Sequence, residues 1–409
     1  MAVTTPAPRL RAALRPPERV RDALWALLAS RAIVWAVSIP AVLHFGYASW
    51  RARADPTDIT ATLGGVGHVA GAPVMRWDSV YYVQIAQDGY TQLKQAGFFP
   101  LYPLLISILD DVVGSAIVAG FLISLVSFAI GLVLFDRLAL LETGRAAVAR
   151  RSVWLLALFP ASLFFSAVYT EALFLALSVG SFLAARRGRW WLAGLLGGFA
   201  AATRNVGVML LVPLLILYFL GPREDRPPER AGRIRYRARP DLLWLGLVPV
   251  GCAAVALYMN HRFGDPLTAW TSQESYFGRH FEGPFSGLWL GFWKALTDLG
   301  HGMLGSAVNK GALFVVCAGA LAIAVASFKR LPAAYGAYAI AALAPALSTP
   351  RDIGPLNGSI RYVAVVFPVF LWLGMVLEGR RRLTWLVGAG FTLGLAYCSV
   401  RFATWRWVA

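Results

Sequence analysis

Three observations predict an all-α polytopic membrane protein with about eleven transmembrane helices. Of the 409 residues, 58% are hydrophobic and only 14% charged, with a mean hydropathy of +0.61; a soluble chain carries about 25% charged residues. The charges sit in short clusters between long apolar runs, which is the pattern of membrane spans and not of one water-soluble core. The basic clusters at 9–21, 145–151, 186–189, 223–239 and 380–382 fall between those runs, where the positive-inside rule puts cytoplasmic loops.

That placement assigns the net charge of +17 to anionic lipid headgroups and not to nucleic acid. Residues 1–22, rich in Pro and Arg, read as a disordered basic cytoplasmic tail with no cleavable signal, and 23–409 as the transmembrane domain. The lysines are Lys94, Lys294, Lys310 and Lys329 alone, and alanine is abundant. This composition is that of a high-GC bacterium, so the expected location is a bacterial plasma membrane. Cys252, Cys317 and Cys398 lie in apolar runs, without disulfide or metal spacing. No P-loop, dinucleotide fingerprint, zinc motif or nucleophile elbow is present, which leaves a cytosolic ATP or nucleotide-sugar site unsupported.

The first span is expected at 32–48, with Arg31 snorkelling to the inner interface and Pro40 tolerated as a kink. A long polar outer loop follows at 49–97. The apolar stretch 98–109 is too short to cross and reads as re-entrant or interfacial. Spans are then expected at 113–135, 152–167, 171–185, 190–203, 206–220 and 242–259. After a second outer loop at 260–310, further spans follow at 311–328, 333–348, 361–378 and 383–400. A cytoplasmic N-terminus puts every arginine-rich loop inside and both long loops outside.

Within the first outer loop, Asp78 and Ser79 can start a helix and Gly89 can end it. Asp78, Tyr82 and Ile85 share one face, and the predicted element is an amphipathic helix at the outer interface with a carboxylate at its leading end. Asp78 reads either as an N-cap or as a general base beside the membrane. Glu171, Arg204 and Arg361 are ionisable groups at the outward ends of spans, where charge is costly and marks function. The arginines suit a phosphate, which guanidinium binds bidentately; the alternative is an ion pair with Glu171 or Asp352. Glu171 is equally placed to complement a helix dipole. His261 and His280 lack metal spacing, and Trp270, Trp289 and Trp293 fit an interfacial belt or a sugar-stacking surface.

Arg76-Trp77-Asp78-Ser79 through Asp88-Gly89-Tyr90, then Phe98-Phe99-Pro100-Leu101-Tyr102-Pro103, resembles the first outer loop of PIG-V-like mannosyltransferases. Phe159-Pro160-Ala161-Ser162, Ser166 to Glu171, Ala202 to Gly207, Arg361-Tyr362 and Phe367-Pro368 also resemble that family, in the same order. The resemblance implies a GT-C glycosyltransferase fold and inverting transfer of mannose from a polyprenyl-phosphate donor to an acceptor hydroxyl outside the cytoplasm. It puts the essential acid at Asp78; beside it, Arg204 and Arg361 are the candidates for the donor phosphate, and Glu171, the second catalytic candidate, for orienting the acceptor or Arg204. Arg76, Trp77, Tyr82, Tyr169 and Asn205, beside those residues, are the substrate-binding candidates. The acceptor is open among glycolipid, glycan and protein. Metal dependence varies among such enzymes; no metal ligands are assigned, and a divalent cation stays open as a cofactor. The rival classes are a lipid-linked-sugar transporter or flippase, which internal repeats and deep charges would mark, and a non-catalytic subunit of a glycosylation complex.

Overall fold

The computed structural model describes residues 16–352 and 354–408, and its elements are helical apart from one isolated bridge between Arg279 and Arg351. Five helices are long and apolar enough to cross a membrane: Glu18–Phe45, Ala116–Thr143, Pro240–Phe263, Leu304–Ser327 and Arg381–Ala403. A sixth crossing arises if Ser359–Val365 and Phe367–Val376, bent by 68°, count as one. Trp190–Thr203, Asn205–Leu220 and Ala333–Ser348 are shorter apolar helices.

At two of the expected spans a proline interrupts the helix. The stretch expected as one span at 152–167 is a helix Ala146–Leu158 and a 3-10 helix Pro160–Phe165. Pro160 has no N–H and pushes Phe159 out of helical geometry, to φ −56° and ψ 141°. Pro368 stands just after the bend between Ser359–Val365 and Phe367–Val376.

The tail expectation reaches only partly into the described residues. Residues 1–15 lie outside them, whereas the chain is helical from Pro16. There Arg19 holds the Asp136 carboxylate of the Ala116–Thr143 helix through Nε at 2.8 Å and Nη2 at 2.5 Å. Because the helix starts so early, Arg31 sits in its middle and does not snorkel. Its guanidinium is buried against Phe128 and donates to the Ser162 carbonyl at 2.8 Å, Ser166 Oγ at 2.7 Å and Ser162 Oγ at 3.0 Å. The polar loop expected at 49–97 is likewise a series of short helices. Asp55 starts one of them by accepting the Ile59 and Thr60 N–H groups at 2.9 and 3.0 Å.

Lipid tails are as apolar as leucine, so close packing rather than water exclusion must hold such helices together. The core packs Phe135, Phe182, Tyr335, Tyr338 and Phe367 against one another. Trp190–Thr203 and Leu247–Phe263 touch through backbone: a Cβ on Gly251 would stand 2.0 Å from the Gly198 carbonyl oxygen. Gly251→Val is therefore expected to destabilise the protein by about 1–3 kcal/mol. Gly388→Val, at a position with open space around it, should melt like the parent. Thermal unfolding of the two variants in one detergent checks this, and equal melting would contradict the close packing.

The bundle has two chemically different ends. Glu171 begins and Arg186 ends one helix, so about 22 Å separate them at 1.5 Å per residue. At the Arg186 end, Arg186 pairs with Glu142 and donates to the Pro222 carbonyl, and Arg145 pairs with Glu378. The basic clusters 145–151, 186–189 and 223–239 gather there. Glu171 marks the other end, where Thr170, Arg204 and Arg361 line a cavity.

Candidate active site

The Asp78–Asp88 helix has the predicted bounds, and Gly89 ends it at φ +70° with its N–H on the Ile85 carbonyl. A left-handed residue there is most easily glycine. Its start departs from the N-cap reading. Trp77 occupies the cap position, with no side-chain capping bond, at φ +56°. A non-glycine residue in that region is strained, by about 1–3 kcal/mol, and such strain gathers at functional sites. The Trp77 ring is held by Trp405 and Trp407, at centroid distances of 5.7 and 5.0 Å. Tyr169 fixes the same turn, accepting the Asp78 N–H and donating to the Arg76 carbonyl, each at 3.2 Å.

Freed from capping, the Asp78 carboxylate meets Arg361: Nη1 donates to Oδ2 at 2.6 Å. Oδ1 has no hydrogen bond among the described residues, and the side chain stays 24% exposed. Arg361 Nε donates to Glu171 Oε1 at 2.6 Å, and Arg204 Nη1 approaches that same oxygen at 2.7 Å. Arg204 also donates to Thr170 Oγ1 at 3.1 Å, and the Tyr82 hydroxyl stands 3.4 Å from it. The result is a chain of alternating charge from Asp78 through Arg361 and Glu171 to Arg204. The faces of Tyr169 and Phe164 flank Arg361, and those of Tyr362 and Phe174 flank Arg204.

A cavity of about 920 Å³, counted to its open mouth, lies over this chain. Asp78, Arg204, Arg361, Trp77, Tyr82, Tyr169 and Asn205 all line it. Two candidates do not. Glu171 is wholly buried beneath the cavity, so it orients the two arginines instead of meeting a substrate. Arg76 is turned away, donating to the Ala403 and Met75 carbonyls at 3.1 and 2.7 Å; it anchors the chain end that carries Trp405. Burial pushes the Arg76 guanidinium down to about 10.

Sequence reasoning missed Arg279 and Arg351, which also line the cavity, as do Gln273, Phe277, Phe402 and Trp407. Four guanidinium groups thus face two carboxylates, Asp78 and the underlying Glu171, and leave two positive charges in excess. Such a site favours an anion. The outer-loop histidines and tryptophans behave otherwise: His280 stands beside Glu274 at 3.2 Å, Trp270 packs on Phe99, and Trp289 and Trp293 lie partly exposed on one helix. Among the described residues, no three His, Cys, Asp or Glu side chains group as a metal-ligand set.

Comparison with known proteins bears on this end of the molecule. Residues 64–217 match a family model described as mannosyltransferase (PIG-V). The chain is 32% identical over 152 residues to GPI alpha-1,6-mannosyltransferase 2 of Mus musculus, covering 34% of this chain and 30% of that protein. The Rattus norvegicus protein of that name is 31% identical over 163 residues and the Homo sapiens one 28% over 161. Both of these matches cover 37% of this chain and 31% of the relative. The chain therefore spans less than a third of the length of the curated relatives it matches. Asp78, Glu171 and Arg204 fall inside the family match, whereas Arg279, Arg351 and Arg361 lie beyond it.

Proposed function

We propose that this chain, whose residues 64–217 match the PIG-V mannosyltransferase model, acts as a mannosyltransferase and transfers mannose from a polyprenyl-phosphate carrier to an acceptor hydroxyl. The observation that carries this reading is the Asp78 carboxylate at the rim of a cationic cavity, one oxygen fixed by Arg361 and the other open. In the reaction, Oδ1 takes the proton of the incoming alcohol. The alcohol oxygen bonds to the anomeric carbon as the bond from that carbon to the phosphate oxygen breaks. The bonding pair leaves with the polyprenyl phosphate, and a single displacement inverts the anomeric centre. Positioning and charge stabilisation supply most of the acceleration, with the base adding about 10²–10⁴-fold.

Arg361 holds Asp78 in place, and Glu171 and Arg204 hold Arg361. Trp77, Tyr82 and Tyr169 offer rings to the sugar, and Asn205 a hydrogen-bonding amide. The cavity opens on the non-cytoplasmic side in this proposal, a sidedness supported by the gathering of basic loops at the far end of the Glu171–Arg186 helix. The same reading makes the shorter apolar helices further spans of a GT-C-type bundle of about eleven.

The test is donor choice. Purified protein in vesicles is given mannose labelled on polyprenyl phosphate or on GDP, with extracted membrane lipid and glycan as acceptors. Label is expected to reach a new product from the lipid-linked donor alone. Transfer from GDP-mannose, or none from either, would count against the proposal.

A further inference from the structure

Arg279 and Arg351 belong to different parts of the chain, yet face each other across an isolated antiparallel bridge at the cavity wall. Neither pairs with a carboxylate among the described residues. Among the described residues, Arg279 donates to the Thr349 and Asn357 carbonyls alone, at 3.4 and 3.3 Å, and lies over the Tyr362 ring. The Arg351 guanidinium lies over the Trp407 ring and makes no hydrogen bond among the described residues, where its Nε is buried without a partner. Burial, and then the like charge of Arg279, push Arg351 down to about 10. Two adjacent cations so poorly answered are costly unless an anion joins them. Arg204 and Arg361 differ, because their inner edges already hold Glu171 and Asp78.

We propose that Arg279 and Arg351 clamp the phosphate of the lipid-linked donor, while Arg204 and Arg361, joined through the buried Glu171, hold the Asp78 carboxylate in place. This rests on the transferase reading and moves the donor-phosphate role away from Arg204 and Arg361, its candidates in the sequence. The chemistry fits a leaving group: as the sugar–oxygen bond breaks, the phosphate passes from one negative charge toward two, and paired guanidinium forks stabilise the gain. A lipid phosphate, and not a free one, is indicated by what adjoins the pair. The Glu282 N–H donates to the Ser348 carbonyl at 3.2 Å and the Phe285 N–H to Ser348 Oγ at 3.0 Å. The segment bearing Arg351 thus leads to the apolar groove of Phe285, Leu288, Trp289, Phe292 and Phe314, which an isoprenoid chain would fill.

Binding without turnover tests the clamp. The full chain in phosphatidylcholine nanodiscs is titrated with polyprenyl monophosphate, with the uncharged polyprenol and with inorganic phosphate. Arg279→Gln and Arg351→Gln are each expected to weaken polyprenyl phosphate binding about tenfold or more, and the double variant to bind it no better than polyprenol. Arg351→Lys, which keeps the charge and loses the fork, should fall between. Melting curves identify any variant that fails to fold, and the Lys variant then carries the comparison. Unchanged affinity in folded variants would overturn the clamp, and inorganic phosphate binding as tightly as the lipid would overturn its lipid character. Because no transfer is measured, an inactive protein with intact, arginine-dependent binding would reject the transferase reading and spare the clamp.

Discussion

Asp78→Asn is expected to slow sugar transfer by about 10²–10⁴-fold while leaving the protein folded. An amide matches the carboxylate in shape, and its oxygen can still accept from Arg361 Nη1, now at 2.6 Å from Asp78 Oδ2. What it loses is the ability to take a proton at the atom facing the cavity. Asp78→Glu keeps the proton acceptor but carries it one methylene farther, so recovery should be partial at best. Single-turnover transfer by purified variants, with melting curves alongside, checks both. Wild-type rates in the Asn variant would remove Asp78 as the base.

Glu171→Gln should act on stability first, at a cost of about 3–5 kcal/mol. One buried oxygen, Glu171 Oε1, answers both Arg361 and Arg204. Neutralising it leaves two guanidinium groups sharing the single charge of Asp78. Glu378→Gln is the control, since that carboxylate pairs with Arg145 while 32% exposed, and surface pairs contribute about 0–1 kcal/mol. Unfolding of the two variants measured together separates the cases. A Glu171→Gln variant as stable as the control would mean that the four-residue charge chain is not what holds this end of the bundle together.

How much of this is legible in the sequence depends on whether the signal is local. The Asp78–Asp88 helix can be read because its start, its periodicity and the stop at Gly89 lie within a dozen residues. The Ala333–Ser348 helix is equally readable, following Pro332. Span lengths are misjudged at Pro160 and Pro368, where hydropathy runs on but the backbone cannot. Arg31 is misread because the apolar pattern hides how far the helix extends on its N-terminal side. The site is half visible. Asp78, Glu171, Arg204 and Arg361 stand out as charges at the ends of apolar runs, but nothing local shows that Glu171 is sealed beneath Arg204 and Arg361. Arg279 and Arg351 have no signal of their own, one in a polar loop and one after a helix. Only the bridge between segments 72 residues apart in sequence makes them a pair.

The most direct measurement is the balance between sugar and carrier in sealed vesicles containing the purified protein, donor and acceptor. One free polyprenyl phosphate is expected for each mannose that appears on the acceptor, with the anomeric configuration inverted. Mannose that crosses the membrane still joined to its carrier, with no polyprenyl phosphate released, would make the cavity a passage and contradict the chemistry assigned to it.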